Sequence, residues 1–533
     1  MLKRCFALLT LLILSNPAFG LFVDGKGHYS LRGETRTNPD YTSDRGYHQG
    51  IRQSFRLNLE LRGNDRTSFF VETRLWEDQR LAFLGDTPEP ERCSDASTGE
   101  NLSCSKRLQD TTKPWYKPIK PRFTEAYAQY AMDTCLLKAG RKGRNWGMGA
   151  LLSTDYQPFS YSSSVYDGIS CDINIQKAQT LGFSVGYDKL SETGSALVPN
   201  IEESRQYGST KPSDDIDQFF FTIEIDDRKA NEGTSFARHV GIYFSNALSG
   251  GDTKTDLKLA DLYTGFYLTN WTLRNELMFR LGKTADPNVT RFGGLGPYVD
   301  TQSNTAEATR NNLDAIGLAG SIEYLVDKSG SYTGPEEFKE GTLTTHSAFF
   351  EYAYAPGDKD GYYELAPDAD ELNAGAKSRE SEGDNKATGF ALHRNYKPAL
   401  ILFNGLAQSG DFRVDGIYDP EAVMNTTLFA LGYRYKSLEN GNFELKLITA
   451  KLNETMPAAV KAYVGANKDR GMVGYGGSSL GYELDLKYSK FLSRTFEWGV
   501  ESGVGLPGPA FKRYSGDKAE TTLLLQAFSS FFF

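Results

Sequence analysis

Outside its first twenty residues the chain has no apolar run long enough to cross a bilayer as a helix, which takes about twenty residues. Hydrophobic residues fill only 39% of its 533 positions, which excludes a helical membrane protein. Histidine is scarce. His28, His48, His239, His346 and His393 are scattered and form no Ser–His–Asp or HExxH arrangement. No GxSxG or paired-carboxylate motif accompanies them, so no enzymatic activity is expected. Cysteine is equally sparse. None of the five belongs to a CxxC motif or sits beside a histidine, so neither a structural metal nor a cofactor is expected. Basic residues are in deficit, with 59 Lys and Arg against 68 Asp and Glu, which argues against nucleic acid as a partner.

The first segment is itself informative. Lys3 and Arg4 precede an apolar stretch from Phe6 to Leu14, Asn16-Pro17 breaks it, and Ala18-Phe19-Gly20 supplies a cleavage region. Residues 1–20 read as a signal peptide and 21–533 as the mature chain, whose net charge moves from −9 to −11 once Lys3 and Arg4 are lost. Export favours disulfides. Cys93 and Cys104, close together in a polar loop, are expected to pair, and Cys135 and Cys171 are candidates for a second bridge.

Alternation dominates the remainder. In Ser54 to Arg62, Phe55, Leu57, Leu59 and Leu61 share one face, while Ser54, Arg56, Asn58, Glu60 and Arg62 share the other. This is the period-2 signature of a strand with one apolar and one polar face. The same pattern recurs at Trp271 to Leu281, Phe443 to Leu447 and Tyr482 to Tyr488, entered through turns such as Glu439-Asn440-Gly441. Strand centres fall near residues 31, 57, 73, 127, 141, 172, 185, 221, 241, 263, 276, 320, 350, 430, 446, 484, 500 and 527. The last of these belongs to an apolar segment ending in Phe533, which an unpaired edge would leave prone to aggregation.

Connections between the centres alternate between long (80–121, 284–312, 356–424) and short (63–66, 269–270, 438–441). A secreted β-sandwich would also alternate in hydrophobicity, but the long–short rhythm and the even strand number fit a transmembrane antiparallel up-and-down barrel of about 18 strands. Long loops would then be extracellular and short turns periplasmic, in a Gram-negative outer membrane. Thirty Tyr and thirty-three Phe suit the lipid face and interfacial girdles of such a wall. Trp271 and Trp498, each just after a short turn, are expected at the periplasmic interface.

In a barrel the polar face is the pore. The expected lining is Arg32, Arg36, Arg56, Arg62, Arg74, Arg141, Arg144, Arg274, Arg280, Arg434 and Lys446, interleaved with acids that include Glu60, Glu483 and Asp485. Arginine rows attract anions; carboxylates between them could instead pair with the arginines and fill a mixed-charge lumen.

Ala139-Gly140-Arg141, Trp146-Gly147-Met148-Gly149, Tyr166-Asp167-Gly168 and Glu351 to Asp358 resemble segments of the alginate-export family of outer-membrane porins, as does His393 to Asn404. The resemblance implies a barrel of about 18 strands that is monomeric, with an arginine-lined constriction for a polyanion. It also implies that the insertion machinery reads the terminal Phe533. The interleaved acids depart from a purely cationic throat.

Two loop features remain. Asp358-Lys359-Asp360-Gly361 offers oxygen ligands to calcium but lacks the full EF-hand spacing, and a solvated acidic loop explains Asp358 and Asp360 equally. Loop 356–424 carries Leu400-Ile401-Leu402-Phe403, which must pack either inside the lumen or on the rim. The expected function is passive diffusion or export of hydrophilic, anionic solutes or polysaccharide, with a non-conducting structural or adhesin-type barrel as the alternative. Outer-membrane lipid and lipopolysaccharide are the expected surroundings.

Overall fold

In a computed structural model, the chain is described over residues 22–37, 47–81, 92–94, 101–103, 122–154, 164–176, 180–190, 216–228, 235–248, 256–284, 311–330, 332–333, 340–341, 343–357, 386–393, 395–403, 422–455, 476–512 and 519–533. The leader, the Cys93–Cys104 pairing and the Asp358/Asp360 cluster lie outside what these residues describe.

Eighteen long strands build the wall. The first nine are β1 (Phe22–Thr37), β2 (Tyr47–Asn64), β3 (Thr67–Leu81), β4 (Arg122–Ala131), β5 (Leu136–Gly143), β6 (Val165–Gln176), β7 (Thr180–Leu190), β8 (Ile216–Asp226) and β9 (Phe236–Leu248). The rest are β10 (Asp256–Leu268), β11 (Trp271–Thr284), β12 (Asn311–Ser329), β13 (Thr344–Ala355), β14 (Thr426–Ser437), β15 (Gly441–Leu452), β16 (Ser479–Ser493), β17 (Phe496–Pro507) and β18 (Thr522–Phe532). Every strand centre expected from the sequence falls inside one of them.

Each strand pairs antiparallel with the next, and β18 returns to β1 from Leu524↔Arg36 to Phe532↔His28, closing the sheet. The Gly27 and Phe533 backbones exchange N–H···O bonds of 2.7 and 3.0 Å at the end of this seam. Closure satisfies the backbone without leaving an edge, which hydrocarbon requires of any spanning sheet. Short turns are set by local chemistry. Asn64 Oδ1 accepts the Arg66 and Thr67 amides at 2.8 Å each. Gly441 adopts φ 89°, where a side chain would be strained.

The two faces separate cleanly. Val185, Phe219, Phe221, Leu431, Leu447, Leu484, Leu523 and Leu525 are exposed on the outside. Their sequence neighbours Asp188, Gln218, Phe220, Ala430, Ile448, Glu483, Asp485 and Gln526 are buried within. Among the described residues no dry interface separates two sheets: Leu445 is 37% exposed on the outer wall. An apolar exterior on a closed barrel makes this an outer-membrane protein, with the short turns periplasmic. Trp271, stacked near Tyr324 at 4.6 Å, and Trp498, edge-on to Tyr488 at 5.6 Å, lie on the outer face beside the short turns. Both are at the level where amphipathic rings settle between lipid and water.

Cys135 bridges to Cys171, with Cα atoms 5.7 Å apart. The bond pins the turn before β5 to its neighbour β6, where Leu137 faces Cys171. Peptide mapping of the folded protein should recover these two cysteines linked, and Cys171→Ala should destabilise the barrel by about 2–4 kcal/mol, read as a lower temperature for the unfolding shift in gel mobility. Free, alkylatable thiols at both positions before reduction would contradict this assignment.

A constricted lumen as the candidate functional site

A barrel wall alternates by construction, so inward side chains stack in rows along each strand. On β1 to β3 the inward set is dominated by arginine. Arg32 faces Arg52 directly across β1 and β2, and Arg56 faces Arg74 across β2 and β3. Like charges placed opposite one another are unfavourable, and Glu34 and Glu72 offset the cost. Arg52 Nη2 lies 3.3 Å from Glu34, and Glu72 Oε1 is 3.6 Å from Arg56 Nε and 3.3 Å from Arg74 Nε. With Arg36 included, five buried or half-buried arginines line this stretch. Arg62 and Glu60 continue the face toward the periplasmic end as a more exposed pair at 2.6 Å.

Two loops leave the rim and enter the bore. The first follows β5. Arg144 is wedged among the rings of Phe220, Tyr166 and Tyr243, with its carbon 3.5 Å from the Phe220 ring centre, and Nη2 donates to Asp188 at 2.6 Å. Burial alone would push this guanidinium down, but Tyr243 and Asp188 hold it above the ordinary arginine range. The chain then turns through Trp146 to Leu152, and the buried Glu276 of β11 collects its amides. Met148 N donates to Oε2 at 2.6 Å, Leu151 N to Oε1 at 2.9 Å and Ala150 N to Oε2 at 3.4 Å.

The second loop follows β13. Lys386–Ala387 runs parallel beside the start of β12, and residues 395–403 cross between the wall strands. Here both signs of wall charge grip backbone. Glu483 accepts the Ile401 and Leu402 amides at 2.6 and 2.9 Å, and Asp485 accepts that of Leu400 at 3.0 Å. In return Lys446 Nζ donates to Pro398 O at 3.3 Å, Arg36 Nη2 reaches Ile401 O at 3.5 Å, and Arg280 donates to Gly389 O. Such a segment cannot build a ladder of its own, and a buried unpaired amide costs about 1–3 kcal/mol, so ionic wall side chains supply the partners. Leu400, Ile401, Leu402 and Phe403 are each no more than 4% exposed. Burial raises the phenol of nearby Tyr396, keeping it neutral. The two loops meet where His393 N donates to Ala150 O at 2.7 Å, with the His393 ring 3.2 Å from Ser164 Oγ.

Below the loops, toward the periplasmic end, a cavity of about 210 Å³ is lined by Arg434, Lys436, Lys487, Glu444, Glu501 and Phe528, among others. Arg434 is shared between Glu444 at 2.7 Å and Glu323 at 3.3 Å.

The register turns Arg32, Arg36, Arg56, Arg62, Arg74, Arg274, Arg280, Arg434, Lys446, Glu60, Glu483 and Asp485 inward. Arg144 reaches the bore from a loop rather than a wall strand. Arg141 is a correction: it points outward, with the parity of the exposed Ile169 in its neighbour strand, and forms a two-bond pair with Asp167 at 2.7 and 2.9 Å on the outer surface. The apolar Leu400–Phe403 run packs in the lumen and not on the rim. The backbone-binding roles of Glu276, Glu483 and Asp485 had no sequence signal beyond inward parity, because their partners lie 81 to 128 residues away.

No protein-family model and no curated protein matches the chain, so the alginate-export resemblance rests on the segments quoted for it. Among solved structures it is similar to OccK5 (OpdH) of Pseudomonas aeruginosa at 11% identity, over 96% of this chain and 98% of that one, with a TM-score of 0.42. It is also similar to the outer membrane protein OprD of Pseudomonas aeruginosa (10%, 97% and 95%, 0.44) and to OccAB4 of Acinetobacter baumannii (11%, 97% and 100%, 0.41).

The carboxylate grip is testable without assuming transport. With Cys93 and Cys104 replaced by serine, Ile401→Cys should resist a water-soluble maleimide. Adding Glu483→Ala and Asp485→Ala, which strands three amides, should speed its labelling at least about tenfold, given some 1.5–3 kcal/mol for each lost charged bond.

Proposed function

We propose that the chain is an outer-membrane porin that passes hydrophilic, anionic solutes by passive diffusion, without chemistry and without a cofactor. The observation that carries this reading is the inward arginine row of β1 to β3, where cation faces cation across adjacent strands. We read the five guanidinium groups gathered on β1 to β3 as a local positive surplus beside the constriction. In a narrow, water-filled bore with low-dielectric walls that surplus concentrates anions and excludes cations. Elsewhere several of the inward acids have partners of their own. Glu276, Glu483 and Asp485 are committed to loop amides, Asp188 to Arg144, and Glu323 and Glu444 to Arg434. The interleaved carboxylates therefore neutralise less of the row than their number suggests. A polysaccharide anion, as in the alginate-export resemblance, is one solute of this class.

The alternative is a barrel that does not conduct. It is favoured by the depth to which residues 395–403 and 146–152 occupy the bore.

Planar-bilayer recording separates the two. The porin reading expects a stable conductance and, under a salt gradient, a reversal potential on the anion side. Arg56→Glu with Arg74→Glu should lower the anion-to-cation permeability ratio at least about twofold. Absence of conductance from protein whose fold is verified would favour the plugged barrel.

A further inference from the structure

We propose that the periplasmic mouth of the lumen holds a divalent transition-metal site built from Glu224, Asp226 and His239. Glu224 and Asp226 are two residues apart on β8 and so share one face, the inward face of Gln218 and Phe220. His239 on β9 stands opposite Asp226 in register and shares its own inward face with Ala237 and Tyr243. One ligand atom from each of the three comes within 4.8 Å of the others. Ligand atoms about 2.0–2.2 Å from a tetrahedral zinc ion stand about 3.3–3.6 Å from one another, so the widest pair needs to close by at most about 1.5 Å. His239 Nε2 and Glu224 Oε1 are already in direct hydrogen-bond contact. That bond holds a proton where the metal would sit.

The surroundings are those of a ligand set with oriented outer partners, which is what distinguishes a metal site from a chance cluster. Arg228 fixes the Asp226 carboxylate: its Nε and backbone N–H donate to Oδ1 at 2.9 and 3.1 Å and its Nη2 to Oδ2 at 2.6 Å, leaving Oδ2 a further lone pair. Its guanidinium also reaches Tyr267 Oη at 3.4 Å, and Tyr267 in turn lies 3.5 Å from Tyr263 Oη. The Tyr263 ring meets His239 edge-on at 4.8 Å, setting the imidazole plane. A donor set of one imidazole and two carboxylates suits zinc or a similar first-row ion better than calcium or magnesium, which prefer oxygen alone. Water from the bore would fill the remaining coordination positions, since Glu224 is 40% exposed at its side chain. Bound metal would staple β8 to β9 at the periplasmic mouth and add positive charge there.

The test is zinc titration of the intact, chelator-stripped barrel by calorimetry, with folding checked by heat-modifiable gel mobility. One saturable site is expected. Glu224→Gln and His239→Gln, each conservative enough to fold, should weaken binding at least about tenfold. His346→Gln, on the outer face, should leave it unchanged. No saturable uptake, or His239→Gln binding zinc as tightly as the parent, would overturn the proposal. Neither readout depends on whether the barrel conducts.

Discussion

Backbone amides removed from water must find partners, and this constraint decides the architecture twice. In the wall it forbids an edge, so eighteen strands close through β1 and β18 down to the last residue. In the lumen it forbids a bare loop, so each intruding segment is received by polar wall side chains. Glu276 takes amides of the first loop, Glu483 and Asp485 take those of the second, and Lys446, Arg36 and Arg280 take carbonyls. A charged lumen therefore serves the fold before it serves any solute.

That double duty bears on the proposed anion preference of a chain with more acids than bases. An inward carboxylate holding two or three amides has little field left to offer a passing ion. Among the described residues, Glu34 pairs with Arg52, and Glu72 with Arg56 and Arg74, along β1 to β3. Charges on the outer face, such as Arg141 with Asp167, do not enter the balance of the bore.

Much of this was legible beforehand because a barrel wall repeats with period 2. Strands such as Ser54 to Arg62 and Tyr482 to Tyr488 show their two faces without reference to anything distant, and the loop rhythm supplied the order. Inward residues followed wherever parity was unambiguous. Arg141 misled because β5 carries cations on both parities: Lys138 and Lys142 point in and Arg141 points out. The loop architecture was not legible. Whether Leu400 to Phe403 pack inside or on the rim depends on Glu483 and Asp485, more than eighty residues later, and no local pattern encodes that distance. The Glu224, Asp226 and His239 grouping was hidden for a similar reason. It needs the register across a turn, which sequence spacing alone leaves uncertain by a residue.

The meeting of the two loops at His393 and Ala150 has a mechanical consequence. From Glu276 on β11, through residues 148–151, across to residues 393–402 and on to Glu483 on β16, a continuous chain of bonds forms a chord through the cylinder. A hollow tube under lateral squeeze fails by flattening into an ellipse, and a strut between two separated wall strands opposes that mode. Such cross-bracing would keep the bore's cross-section steady as the surrounding leaflets change tension, so that its width is set from within the molecule and not by the lipid around it.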